Sequence, residues 1–269
     1  MRRVSPTETA HPYFDPGTPL LAFAHRGGAH HPDIAGLENS LAAFAHAVSL
    51  GYHHLETDVH VTADGVLFAF HDDHLDRVTD GTGAVSELTA DQVRSARIAG
   101  REPVPTFAEL LDAFPGERIN VDVKSDGTVE PLVALLEERD AWDRVLVGSF
   151  SRRRLSRYRR LAGGRGVTSA HPLEVVAYRF LPTARLARLL TPGRPAALQV
   201  PHRRGRVTLV TPGLVARAHA NGLFVHVWTI DDPDEMEQLI DRGVDGLMTD
   251  RTDLLKQTLV RRGLWKEPS

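Results

Sequence analysis

The chain has 269 residues, 42% of them hydrophobic and 25% charged, with a net charge of −3. That is enough for one large core. Lys and Arg run along the whole chain, so bulk charge favours neither nucleic acid nor an anionic membrane, and binding to either would have to be local. Zero cysteines exclude disulfides, thiolate nucleophiles and thiolate metal sites together, which leaves oxygen and imidazole ligands and favours a hard cation.

No stretch approaches the roughly 20 apolar residues of a membrane span, and Met1 to Gly17 lacks the apolar run of a secretory signal. The expectation is a cytoplasmic protein with an N-terminal arm over 1–19, one domain over 20–262 and a tail over 263–269. Residues 20–24 read as a short buried strand that ends at His25-Arg26-Gly27-Gly28. Leu41, Phe44, Ala45 and Val48 then recur at helical spacing, and Gly51 stops that helix. Next comes Leu55-Glu56-Thr57-Asp58-Val59-His60-Val61, followed by a turn at Asp64-Gly65 and an extended run to Phe70-His71-Asp72.

Residues 73–105 form a polar excursion with one weak helix over 89–97. Thr106 with Glu109 predicts a capping box, and 119–124 the next strand. Helices are predicted over 129–138, 152–161, 172–190, 212–220, 233–241 and 252–260, with strands over 145–147, 167–169, 197–200, 224–228 and 246–248 between them. Eight strands each followed by a helix predict a single-domain α/β fold, a (β/α)8 TIM barrel, with a hairpin and a loop–helix insertion between strands 2 and 3.

In such a barrel, functional groups collect at the C-terminal ends of the strands. Strand parity puts Glu56 and Asp58 on one face, and Asp122 ends the neighbouring strand. The three carboxylates either hold a divalent cation or form an ion network with Arg26 and Lys124. His54 and His60 share the parity of Glu56 and Asp58 and are weaker metal candidates. His25 and His71 end different extended segments beside that strand, which suits one general base and one general acid. Arg26 and Lys124 supply fixed positive charge, while Gln199, Trp228 and Asp250 fall at later strand ends. His30, His31, His46, His53 and His74 read as loop or helix-surface residues, and the run Arg152-Arg153-Arg154 with Arg157, Arg159 and Arg160 as a solvated helix face.

His25-Arg26-Gly27, Glu38-Asn39-Ser40, Glu56-Thr57-Asp58-Val59, His71-Asp72, Asn120-Val121-Asp122-Val123-Lys124, Val227-Trp228-Thr229 and Thr249-Asp250 occur in that order. With them the chain resembles the glycerophosphodiester phosphodiesterase family over residues 20–255. The resemblance implies His25 and His71 as the acid/base pair, and Arg26 and Lys124, with Gln199 and Trp228, as phosphate and substrate contacts. It also implies Glu56, Asp58 and Asp122 as ligands to one divalent cation, Mg²⁺ or Ca²⁺ with Mn²⁺ as a third candidate. The implied substrate is a small glycerophosphodiester, cleaved to glycerol 3-phosphate and an alcohol through a cyclic phosphate. Three departures bear on substrate fit: Asp122 stands where the family usually has Glu, the 28–37 loop is longer than usual, and Leu37 replaces a proline. Asp at that third position also resembles the sphingomyelinase D branch of the barrel, which keeps open a phospholipase-D-like activity on a lysolipid or sphingolipid. A non-catalytic phosphate-binding barrel is the alternative of another class.

Overall fold

A computed structural model describes residues 11–14 and 18–266. Its barrel has eight parallel strands: β1 (Leu21–His25), β2 (His54–Val61), β3 (Arg118–Val123), β4 (Val145–Gly148), β5 (Val167–Thr168), β6 (Ala197–Pro201), β7 (Phe224–Trp228) and β8 (Gly246–Thr249). They pair in the order β5-β4-β3-β2-β1-β8-β7-β6, and a parallel bridge between Ser169 and Ala197 nearly closes the ring. Leu67–Ala69 folds back antiparallel on β2 as the expected hairpin arm.

The outer faces of the strands bury Leu55, Val59, Val121, Val147, Leu198 and Val225 against the surrounding helices. Those helices are α1 (Leu41–Ser49), α3 (Phe107–Ala113), α4 (Val129–Glu138), α5 (Arg152–Ala162), α6 (Pro172–Phe180), α8 (Pro212–His219), α9 (Pro233–Asp241) and α10 (Thr252–Arg261). Their starts follow the side-chain chemistry. Thr106 and Glu109 close the predicted capping box, and Thr211 and Asp232 each accept a backbone N–H just before a first-turn proline. The excursion carries the short helix α2 (Ala90–Ser95) and a satellite core of its own that includes Phe68, Leu75, Val85 and Ile98. Arg97–Ile98 and Glu102–Pro103 pair there as a small ribbon that hydrophobic patterning does not reveal.

Two expectations change. The helix predicted over 172–190 is two helices, α6 and α7 (Ala184–Leu189). Pro182 lacks a backbone N–H and forces the residue before it out of helical geometry; Leu181 is extended at φ −72°, ψ 144°. The predicted arm is also packed where it is described. Tyr13 and Phe14 are buried, and Phe14 stacks on Phe224 with ring centroids 4.0 Å apart. With Leu21, Phe23, Leu146 and Val167 they fill the barrel floor, opposite the mouth. In the predicted tail, Trp265 packs edge-on against Tyr52. Residues 1–10, 15–17 and 267–269 of these segments lie outside the described residues.

The basic run of α5 keeps Leu155 and Tyr158 inward, and four arginines in and just beyond the helix meet carboxylates. Arg154 pairs with Asp126, Arg157 with Glu130, Arg159 with Glu174 and Arg165 with Glu137. That face is solvated, and about half of its charge is neutralised in place, since Arg152, Arg153 and Arg160 are exposed with no carboxylate at salt-bridge distance among the described residues.

Candidate active site at the barrel mouth

After β1 the backbone turns sharply, with positive φ at Arg26 (50°), Gly27 (85°) and Gly28 (88°). A Cβ on Gly27 would lie 2.7 Å from the Ala43 side chain, and one on Gly28 2.7 Å from Thr252. Only glycine lets the chain pass between the starts of α1 and α10. Arg26 has a side chain in that same region, a strained arrangement of the kind that collects at functional sites. The turn is held by the Arg26 N–H, which donates to the Glu56 carbonyl at 2.9 Å and to Glu56 Oε2 at 3.2 Å.

The register brings the predicted residues together. His25 lies beside Glu56 and Asp58 directly opposite Asp122. His25 Nε2 is 3.7 Å from Glu56 Oε2, and its Nδ1 is 2.8 Å from Asp250 Oδ1. Lys124 Nζ stands 2.9 Å from both Asp58 Oδ1 and Asp122 Oδ2, and Arg26 Nε 3.4 Å from Asp58 Oδ2. His71, at the end of the hairpin arm, has Nδ1 2.6 Å from Asp72 Oδ1. Both imidazoles therefore have a carboxylate at Nδ1, which fixes the ring and leaves Nε2 for chemistry.

Four further residues complete the network: Asp250, which the sequence places at a strand end without a role, and Glu38, Asp72 and Arg77, which carry no assigned role in the sequence. Asp250 orients His25. On the other side Asp72 orients His71, Arg77 clamps Asp72 and Glu38 together, and Glu38 accepts from Arg26 Nη1 at 3.3 Å. A continuous chain of charges thus joins His71 to Asp58. The motif segments Glu38-Asn39-Ser40, His71-Asp72 and Thr249-Asp250 contain three of these residues, and Arg77 follows five residues after Asp72.

Burial dominates the electrostatics. It pushes the Glu56 carboxyl upward, an effect that His25 opposes and Asp58 reinforces. His25 is raised to about 8: burial works against protonation but is outweighed by the charge of Glu56 and the hydrogen bond to Asp250. Burial also raises Asp122, against the pull of Lys124. Asp72 is held at about 2, chiefly by its hydrogen bonds from Arg77.

The other predicted residues are placed differently. Gln199 Nε2 donates to Asn120 at 2.6 Å and lies 3.3 Å from His226 Nδ1, so its amide nitrogen is committed to the barrel interior. Trp228 is half-buried at the end of β7, edge-on to the exposed Phe150. Neither weaker metal candidate joins the carboxylates. His54 packs on Tyr13 and Phe23 at the floor, and His60 Nε2 lies 3.1 Å from the His71 carbonyl. His31 is not a surface residue, whereas His30 is exposed in its loop. His31 is buried against His46 beside Asp33, and His30 reaches Asp231 and Asp250; each trio brings three ligating atoms within 4.8 Å.

His226 carries a pH signature. It is fully buried among Phe14, Phe23 and His54, and that burial lowers its pKa to about 3. The unfolded chain takes up this proton near the ordinary histidine value of 6.5 while the folded protein does not. Between pH 6.5 and about 3 the site therefore costs about 1.4 kcal/mol of stability per pH unit. His226→Asn is expected to be less stable at pH 7 yet to lose less stability on acidification. Urea midpoints at pH 7, 6 and 5 that fall in parallel for both proteins would exclude this role.

A divalent cation suits this donor set. Glu56, Asp58 and Asp122 offer hard oxygens, Asp58 Oδ2 is buried with no hydrogen-bond partner, and burial pushes Glu56 and Asp122 away from ionisation. In this arrangement Lys124 spans Asp58 and Asp122, and a cation between them would compete with the ammonium for the same oxygens.

The glycerophosphoryl diester phosphodiesterase family model matches residues 25–254. The chain belongs to this family. A Mycobacterium tuberculosis protein described as a probable glycerophosphodiester phosphodiesterase 2 is 38% identical over 268 residues, covering 93% of this chain and 98% of its own. A glycerophosphodiester phosphodiesterase from Parabacteroides distasonis superposes with a TM-score of 0.75 at 23% identity, covering 91% of this chain and 99% of its own. An Oleispira antarctica phosphodiesterase, solved with the product sn-glycerol-3-phosphate, does so with a TM-score of 0.75 at 21% identity, covering 89% and 96%. Family membership makes the chain a phosphoric diester hydrolase, and the two solved structures share its barrel.

Proposed function

We propose that the protein hydrolyses glycerophosphodiesters to glycerol 3-phosphate and an alcohol, with the barrel over residues 20–262 as the catalytic domain. The observation that carries this reading is the pair of imidazoles, each with a carboxylate at Nδ1, on either side of a cluster that holds Arg26 and Lys124. A barrel that only binds phosphate accounts for the cations but not for two oriented proton carriers.

Arg26 and Lys124 bind the phosphate oxygens and offset the charge that develops on them in the transition state. One of His25 and His71 takes the proton from a free glycerol hydroxyl, whose oxygen attacks the neighbouring phosphorus. The other protonates the departing alcohol oxygen as its bond to phosphorus breaks, which leaves a five-membered cyclic phosphate. With roles reversed, one histidine takes a proton from water as its oxygen bonds to phosphorus, and the other protonates the ring oxygen as its bond to phosphorus breaks, which releases glycerol 3-phosphate. Glu56, Asp58 and Asp122 would hold one divalent cation, Mg²⁺, Ca²⁺ or Mn²⁺, which when bound supplies Lewis-acid charge at the phosphate. Trp228 walls the alcohol side, and Phe150 against it favours a second reading in which the alcohol belongs to a lysolipid.

Release of glycerol 3-phosphate from glycerophosphocholine and glycerophosphoethanolamine by metal-stripped protein, with each cation restored in turn, tests the proposal. Turnover that returns with a divalent cation is expected. Silence on both with turnover of lysophospholipid moves the reading to the lipid diester, and silence on all three refutes catalysis of this class.

A further inference from the structure

We infer that α6, α7 and the small hairpin of Arg203–Arg204 with Val207–Thr208 form a docking surface for an anionic lipid bilayer. Net charge conceals this surface. Between Pro172 and Thr211 the chain has seven arginines and a single carboxylate, Glu174, which is buried and paired with Arg159. Arg185, Arg188, Arg194, Arg203, Arg204 and Arg206 are exposed and have no carboxylate partner among the described residues. On α5, by contrast, half of the basic run is met by acids, Arg154, Arg157 and Arg159 pairing with Asp126, Glu130 and Glu174.

The same surface is apolar. Leu173, Val176 and Phe180 recur three and four apart on the outer face of α6, while Leu186, Leu189 and Leu190 stand out from α7 and its end. Phe180 is 62% exposed and Leu189 74%. Most of the exposed large hydrophobic residues of the described chain fall in this segment. Leucines interleaved with arginines suit the boundary between headgroups and acyl chains, where aliphatic groups insert and guanidinium heads reach the lipid phosphates.

Other occupants fit less well. A two-fold contact with a second copy would set arginines against arginines. A single-stranded nucleic acid needs aromatic platforms, and aliphatic side chains predominate here. The location suits a bilayer. α6 follows β5 and the hairpin follows β6, the pair of strands across the ring from β1 and β2. The surface therefore borders the mouth without using the residues of the phosphate cluster.

Co-sedimentation with phosphatidylglycerol vesicles, with phosphatidylcholine vesicles as the neutral control, tests this without requiring turnover. The protein should bind the anionic vesicles at low salt, release as salt rises, and ignore the neutral ones. Arg185→Glu/Arg188→Glu should weaken the partition coefficient at least ~10-fold, since each cation near an anionic surface contributes several-fold. Leu189→Ser/Leu190→Ser should weaken it comparably. Thermal melts like that of the parent protein would show that both variants fold. No association with phosphatidylglycerol, or equal association with both vesicles, would overturn the inference. So would a dimer in sedimentation equilibrium that Leu189→Ser/Leu190→Ser dissociates, because a second copy would then cover the surface.

Discussion

Replacing His25 or His71 by alanine is expected to lower kcat on glycerophosphocholine by about 10³-fold while leaving KM within a few-fold, because in the proposed mechanism each imidazole moves a proton in the transition state rather than binding the ground state. The two variants should separate on a substrate whose alcohol is p-nitrophenol. That leaving group needs no proton, so the variant that lacks the general acid of the first step recovers most of its rate in the single-turnover burst of p-nitrophenolate, while hydrolysis of the cyclic phosphate, where the same histidine acts as base, stays slow. The variant that lacks the base stays slow on both substrates, because the glycerol hydroxyl still has to be deprotonated. Recovery in one variant alone assigns the roles, and retention of more than a tenth of the parental rate by either variant on glycerophosphocholine would remove that histidine from proton transfer. Asp250→Asn and Asp72→Asn should each give a smaller loss, since the ring remains but its orientation is no longer fixed.

How far the site could be read in advance depended on how directly backbone geometry determines a side chain's position. A period of two along β2 puts Glu56 and Asp58 inside the barrel whatever their neighbours do, and the parallel register then sets Asp58 opposite Asp122. Strand ends place His25 and Arg26 at the mouth by the same logic. Long side chains escape it. Lys124 follows β3, but only the packed structure shows its ammonium spanning two carboxylates rather than facing solvent. The orienting acids escape it too: Asp250 meets His25 because β8 pairs with β1, a contact between residues 225 apart in sequence. Tyr13 and Phe14 sit among polar residues that read as an arm, and only the open floor of the barrel explains their burial. The arginines of α7 and the Arg203–Thr208 hairpin vanish in a sum over the whole chain; their missing partners become visible only once the acids of the other helices are seen to be used elsewhere.

Lys124→Met distinguishes the two readings of the carboxylate cluster. Removing the ammonium leaves Asp58 and Asp122 facing each other in a mostly buried site, and breaking such a pair costs about 3 kcal/mol, the low end of the range because Lys124 is partly exposed. If the cluster is only an ion network, that loss is indifferent to added metal. If it is a cation site, Lys124 competes with the cation for Asp58 and Asp122, so its removal both destabilises the metal-free protein and opens the oxygens to a divalent ion. The second outcome is expected. In chelator, Lys124→Met should unfold at a lower urea midpoint than the parent. Millimolar Mg²⁺ or Ca²⁺ should then recover most of the difference, with a larger metal-induced shift than the parent shows, as expected for a ligand that binds only the folded state. Adding Asp58→Asn to Lys124→Met should abolish that response, since it removes one of the oxygens the cation needs. Turnover by Lys124→Met should stay low even when the metal restores stability, because the proposed mechanism also makes Lys124 a contact for the phosphate. A midpoint that no cation moves would refute the metal reading and leave the charge at the phosphate to the protein's own cations, Arg26 and Lys124 foremost.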